Sequence, residues 1–328
     1  MNIAVDAMGG DHAPAAVVAG ALEAAHLFKG TISLVGDPAA IMEHLPKPVP
    51  TNINIVPATQ IVTMDDKPLD ALRKKKDSSL VVAVNMVHDG TAQAMVSAGN
   101  TGAATAASLL VWRPMPGIHR PAISSLFPNK FGHFLLLDAG ASPDVGPEQM
   151  VEFAVMGRVY AEHMMGIENP HVHLLNIGEE PGKGNAFAKK AFELLSDHSW
   201  FAGNIEGKDL FRERVHVVVC DAFVGNIVLK TAEGVAEYIM SSIREEMPTS
   251  KLAQLPYLPL RKLLAPLKKK TDYAEYGGMP LLGLNGLTFI CHGRSNARAM
   301  KNAILGAGRA IEADLMGHMR TATGFLSK

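Results

Sequence analysis

Eight short apolar runs punctuate this chain, and most of them lack a polar face. They are NIAVD (2–6), TISLVG (31–36), NINIV (52–56), AQAMVSA (92–98), HFLLLDA (133–139), VHLLNIG (172–178), VHVVVCD (215–221) and LTFICHG (287–293). A strand apolar on both faces must be covered on both, which is the condition of a mainly parallel sheet between helical layers. Helical patterns separate the runs, from about Pro14 to Phe28, Thr101 to Trp112, Pro147 to His163, Gly225 to Arg244 and Asn296 to Met319. Strand–helix alternation of this kind predicts a doubly wound α/β/α sandwich. No low-complexity linker or clear boundary interrupts it, so residues 1–328 are expected to form a single α/β unit. At 48% hydrophobic residues, a chain of that length buries a substantial core without staples.

Several of the runs end alike, in VDAMGGD, SAGNTGA, LDAGASPD, NIGEEPGKGN and CDAFVGN. Each passes from apolar residues to small ones, glycine, and Asp or Asn. In parallel α/β sheets ligands bind outside the carboxyl ends of the strands. Glycine there lets backbone N–H groups approach an anion, and the following helix offers its positive N-terminus. For any one loop, tight turns and caps explain Gly and Asp equally well. Five such loops together predict a polar crevice suited to phosphate.

Named motifs mostly fail. GAGRAI (306–311) imitates a dinucleotide fingerprint, but it sits inside a helical pattern with no strand before it. GEEPGKGN (178–185) imitates a P-loop with its glycines one residue too close, and Gly184 stands where Ser or Thr would bind magnesium. What survives is Lys183, on a glycine-flanked loop where an ammonium could offset negative charge; an exposed loop lysine is the competing reading. Asp6, Asp11, Asp138 and Asp221 lie at or near strand ends. For Asp138, capping of loop N–H groups is the preferred reading. For the others, capping and ligand binding stay open, as they do for His12 at its helix entrance. Cys220 ends a run that suggests a buried, unactivated thiol. The cluster ALRKKKDSS (71–79) reads as a solvated helix face or as a contact for an anionic partner.

The formal net charge of -1 gives no bulk case for nucleic acid. The two cysteines, Cys220 and Cys291, form neither a disulfide framework nor a metal-ligand spacing, which suits a reducing, cytoplasmic compartment. Met1 leads straight into the first strand, so no signal peptide is expected, and no run is long enough to cross a bilayer. One stretch, KLAQLPYLPLRKLLAPLKKK (251–270), breaks the pattern with six basic residues, no acidic ones and three prolines. It reads as a basic, apolar arm at about 248–275. Leu260, Leu263, Leu264 and Leu267 follow helical spacing, with Arg261, Lys262 and Lys269 on the other side, as in a contact with anionic membrane. A dimer or tertiary contact explains the same leucines, and Pro266 opposes a clean helix.

Taken in order, AVDAMGGDHAP, LRKKKDSS, SAGNTGA, DAFVGN and EYGGMPLLGLNG resemble the bacterial phosphate acyltransferases of phospholipid synthesis, from end to end. The resemblance implies transfer of a long-chain acyl group from acyl carrier protein to inorganic phosphate, giving acyl phosphate. It implies a fold similar to phosphotransacetylases and to the isocitrate/isopropylmalate dehydrogenases. It also implies a homodimer in peripheral contact with the membrane, with no cofactor and no metal. A membrane acyltransferase that passes the acyl group on to glycerol 3-phosphate is the further partner. By the same resemblance Lys183 and Asn185 are catalytic candidates. Gly9, Gly10, Asp11, His12, Ser97, Asn100, Thr101, Asp221 and Asn226 follow as crevice residues.

Two other classes remain for comparison. A hydroxyacid dehydrogenase of the same broad fold would put strand-end aspartates on magnesium and bind a nicotinamide, but the substrate-binding arginine cluster it needs is not found. A non-enzymatic membrane adaptor would use the basic arm and leave the five polar loops without a purpose.

Overall fold

The computed structural model describes residues 1–246, 275 and 277–327. Residues 248–274 of the predicted arm, with Leu260, Leu263, Leu264 and Leu267, lie outside the described residues. In chain order the strands are β1 (Asn2–Asp6), β2 (Thr31–Gly36), β3 (Ile53–Pro57), β4 (Ala94–Ser97), β5 (Ala122–Ile123), β6 (Ser125–Asn129), β7 (Gly132–Leu137), β8 (Val172–Asn176), β9 (Phe201–Glu206), β10 (Val217–Val219), β11 (Met279–Leu282) and β12 (Thr288–Ile290). The helices are α1 (Ala15–Ala25), α2 (Pro38–Met42), α3 (Pro68–Lys74), α4 (Ser79–His88), α5 (Thr101–Trp112), α6 (Glu148–Met165), α7 (Ala186–Ser196), α8 (Ala222–Glu245), α9 (Ala297–Glu312) and α10 (Leu315–Gly324).

Each of the eight apolar runs contains a strand, and they divide between two sheets. Seven strands lie in the order β3-β2-β1-β4-β12-β11-β5 and five in the order β6-β7-β10-β8-β9. Pairing is parallel through β3-β2-β1-β4-β12 and through β7-β10-β8-β9. The antiparallel strands β5, β6 and β11 lie where the sheets approach one another. The double-faced apolarity of the strands has a direct structural counterpart. Ile3, Val5, Leu135, Leu137, Val217 and Val219 enter one core, while Ala4, Phe134, Leu136 and Val218 enter the other. Both sheets thus feed the same two cores, one on each face. Glycine permits close helix contact on one side: a Cβ on Gly20 of α1 would meet the Ala297 carbonyl oxygen and Met300 Cβ of α9 at 2.5 Å.

The single helix expected over 296–319 is two helices. Asp314 adopts a left-handed conformation (φ 46°) and its carboxylate caps α10 by accepting from Gly317 N. Apolar periodicity continues through such a break and does not reveal it. GAGRAI falls inside α9, as expected from the missing strand.

Candidate active site

Parallel pairing sets β1, β4 and β12 side by side, so the loops that follow them share one end of the larger sheet. Asp6 closes β1 and is 2% exposed. Its Oδ2 accepts from Ser97 Oγ at 2.7 Å, and Gly99 N donates to the same hydroxyl at 3.1 Å. Burial pushes the Asp6 carboxyl above the ordinary carboxylate range, against the hydrogen bond from Ser97. Gly9 rests on this pair, and no side chain fits there: a Cβ would stand 2.5 Å from Asp6 Oδ2 and 2.9 Å from Gly99 N. Gly10 takes φ +111° between the carbonyl oxygens of Ala98 and Gly293. Asp11 N then donates to Gly293 O at 2.8 Å, which ties the β1 loop to the β12 loop. Asp11 and His12 are exposed at the rim, ahead of α1, which no side chain caps.

Asn100 is committed within this loop cluster. Its Oδ1 caps α5 by accepting from Ala103 N, and its Nδ2 donates to the carbonyls of Thr63, Met64 and Asp66. The segment it gathers is also held from the basic cluster, where Lys75 pairs with Asp66 and donates to Ile61 O. Thr101 follows as the exposed first residue of α5. Lys75 therefore organises a loop rather than covering a solvated face.

A second group sits on the smaller sheet. Asp138, after β7, is fully buried and accepts from four amides, those of Ile123, Gly140, Ala141 and Ser142, at 2.8–3.0 Å. Burial still raises its carboxyl above the usual range. The capping reading of Asp138 holds. Asp221 caps α8 through Val224 N, and Gly225 lets α8 approach so closely that a Cβ there would stand 1.9 Å from Asp138 O. Asn226 lies beside Gly140, 3.8 Å from where its Cβ would be. Cys220 is buried against Asp138 O, and burial next to Asp221 and Asp138 holds its thiol protonated, as expected of an unactivated cysteine.

The β8 loop is pinned by two asparagines. Asn176 Nδ2 donates to Lys183 O and to Asn204 Oδ1, and Asn204 Nδ2 donates to Glu180 O. Gly184, at φ +92°, leaves no room for a Cβ, which would meet Asn176 Oδ1 at 2.6 Å. Asn185 caps α7 through Ala188 N. The Lys183 side chain is half exposed, its Nζ 4.0 Å from a carboxylate oxygen of Glu180.

The five similar loops are thus gathered by hydrogen bonds into groups on two sheets. What spans them is α8. Capped at Asp221, it reaches the β12 loop, where Arg294 pairs with Glu237. His292 in the same loop is pushed below the usual histidine range, first by burial and then by Lys230 and Arg294, while Glu233 and Asp11 pull the other way. In sequence, His292 is marked only by the glycine that ends the apolar run in ICHG (290–293). Ser79, near Asp6 at the start of α4, carries no recognisable signal in the sequence. Among the described residues, no group of three or more His, Cys, Asp or Glu side chains is placed to hold a metal ion. No helix among them is long and apolar enough to cross a membrane.

This two-sheet α/β architecture is that of the phosphotransacetylases. A phosphotransacetylase from Streptococcus pyogenes matches with a TM-score of 0.63 at 18% identity, over 95% of this chain and 94% of that one. A branched-chain phosphotransacylase from Enterococcus faecalis matches with a TM-score of 0.53 at 13% identity, over 95% and 99%. At these identities the likeness speaks for the fold alone. Closer relationships come from sequence. Residues 1–317 match the family described as fatty acid synthesis protein. The phosphate acyltransferase of Brevibacillus brevis is 50% identical over 318 residues, covering 96% of this chain and 95% of that protein. The one from Heliobacterium modesticaldum is 48% identical over 316 residues, covering 95% and 94%. The chain belongs to the phosphate acyltransferase family and is an acyltransferase.

Proposed function

We propose that this enzyme transfers a long-chain acyl group from acyl carrier protein to inorganic phosphate. The observation that carries the reading is the glycine turn at Gly9 and Gly10. It is packed onto the buried Asp6–Ser97 pair with no space for side chains, next to the uncapped start of α1. Backbone close to a helix N-terminus suits an anion. Phosphate is already an anionic nucleophile, so no serine or cysteine triad is needed, in keeping with a buried and protonated Cys220. A phosphate oxygen attacks the thioester carbonyl carbon, the C–S bond breaks, and the carrier thiolate leaves and takes up a proton. Holding both reactants makes the attack effectively intramolecular. A free thiol has a pKa of about 8.5, so departure needs little acid assistance.

In this scheme Lys183 offsets the negative charge that builds as phosphate attacks and the thiolate leaves. Asn185 sets the loop through its cap on α7. Gly9, Gly10, Asp11, His12, Ser97, Asn100, Thr101, Asp221 and Asn226 shape the crevice. Released carrier thiol should require phosphate and should be matched by an acid-labile acyl phosphate. Equal release without phosphate would make the protein a thioesterase and end this reading.

The resemblance also supports a homodimer, peripheral membrane contact and delivery to a membrane acyltransferase acting on glycerol 3-phosphate, and the leucine spacing with its basic flank supports the 251–270 arm as the point of contact. Replacing Leu263 and Leu264 with glutamate should abolish sedimentation with anionic liposomes and leave soluble activity intact. Loss of activity or of dimerisation instead would assign those leucines to a protein contact.

A further inference from the structure

Between α8 and the β6, β11 and β12 strands lies a cavity of about 900 Å³, near the upper end of the roughly 300–1,000 Å³ usual for ligand pockets. Its walls are apolar, with Phe127, Leu210, Phe211, Ile227, Val235 and Met279 among them. Two of the polar side chains that border it are turned to other work: Ser124 Oγ donates to Pro280 O, and Asn129 Nδ2 donates to Glu213 O. A ligand in this space therefore meets hydrocarbon and few hydrogen-bonding groups. Glu233 and His292 supply charge and polarity at the border. His292 sits one residue before Gly293, whose carbonyl accepts from Asp11 N. The polar border of the cavity thus adjoins the Gly9–Gly10 turn.

We propose that this cavity is the acyl-chain chamber. The hydrocarbon tail lies between α8 and β6, towards Phe127 and Phe211, and the thioester carbonyl lies at the His292 and Asp11 end, facing the glycine turn. Three observations select an acyl chain over a polar ligand: the apolar walls, the commitment of Ser124 and Asn129 at the border, and the continuity with the anion-suited turn. The assignment rests on the proposed acyl transfer to phosphate, which fixes what stands at the polar end.

The chamber predicts chain-length discrimination. Each methylene buried is worth about fourfold in affinity, so kcat/KM should climb by up to about fourfold per methylene from octanoyl to longer carriers, then level off. Ala232 and Ala236, one turn apart on α8, both line the cavity. Ala232→Phe should exclude two or three methylenes and lower the hexadecanoyl-to-octanoyl ratio of kcat/KM about tenfold or more. Ala236→Leu is the milder variant in case the first does not fold, with the same direction of change. Phe211→Ala should move the plateau to longer chains. An unchanged ratio in folded Ala232→Phe and Ala236→Leu, with phosphate-dependent turnover present, would overturn the chamber and leave the acyl-transfer reading standing. Equilibrium binding of hexadecanoate and octanoate provides the separate readout. Preference for hexadecanoate that Ala232→Phe abolishes, without phosphate-dependent turnover of any thioester, would support the chamber and overturn the acyl-transfer reading. No preference for hexadecanoate in the wild-type protein would overturn the chamber.

Discussion

Gly9→Ala tests the glycine turn most directly. The added Cβ would stand 2.5 Å from Asp6 Oδ2 and 2.9 Å from Gly99 N, where ordinary contact is 3.4–4 Å. The β1 and β4 loops must therefore separate by roughly 1 Å, because neither neighbour can swing aside. Asp6 is 2% exposed and held by Ser97, and Gly99 N is committed to the same serine hydroxyl. Overpacking of this kind costs about 1–3 kcal/mol. With an unfolding entropy of about 2.1 cal/mol/K per residue, the Tm should fall by only about 1.5–4 °C, so the variant stays folded. A misplacement of about 1 Å in a reacting geometry costs on the order of a hundredfold. Phosphate titrations with release of carrier thiol as the signal should show that loss in kcat/KM for phosphate, alongside a calorimetric melt close to wild type. A folded Gly9→Ala enzyme with wild-type kcat/KM for phosphate would refute the placement of the nucleophile at this turn.

Lys183→Ala should lower kcat about a hundredfold with little change in the melt, because the side chain is half exposed and packs into no core. Arginine should rescue poorly, since its planar fork does not occupy the place of an ammonium. Retained kcat with a raised KM for carrier, easing as salt is added, would make Lys183 a docking contact instead. His173 gives a stability prediction. Burial first, and then His171 and His216, push its pKa down to about 4, and its Nδ1 has no hydrogen-bond partner. Arg214 adds positive charge beside His216. A folded pKa below the unfolded value near 6.5 means that the stability is complete above pH 6.5 and is lost as pH falls towards 4. Roughly 3 kcal/mol should disappear over that window, measured by urea unfolding, and His173→Gln should flatten it. An equal pH slope in the variant would show that His173 is not the titrating group.

Local sequence determined the parts of this protein whose physics is local. Runs such as NIAVD and VHVVVCD specify strands covered on both faces, because consecutive interior residues (Ile3, Ala4 and Val5; Val217, Val218 and Val219) are apolar and point alternately to the two sides. Asp138 was legible as a cap because an acid followed by Gly and small residues meets free loop amides at a strand end. Other elements were hidden by composition: β5 has two residues, β6 and β11 carry proline, and β9 contains a glycine and an asparagine. Asp314 ended a helix through a backbone conformation that apolar periodicity does not record. The grouping of the site is a matter of tertiary structure. Asp6 meets Ser97 across 91 positions, Asn100 gathers carbonyls 34–37 positions away, and Asp11 reaches Gly293. The apolar cavity needs α8 set against β6 and β11, segments that lie far apart in the chain. Contacts at such separations depend on how two sheets and their helices close on one another, and only the folded chain decides that.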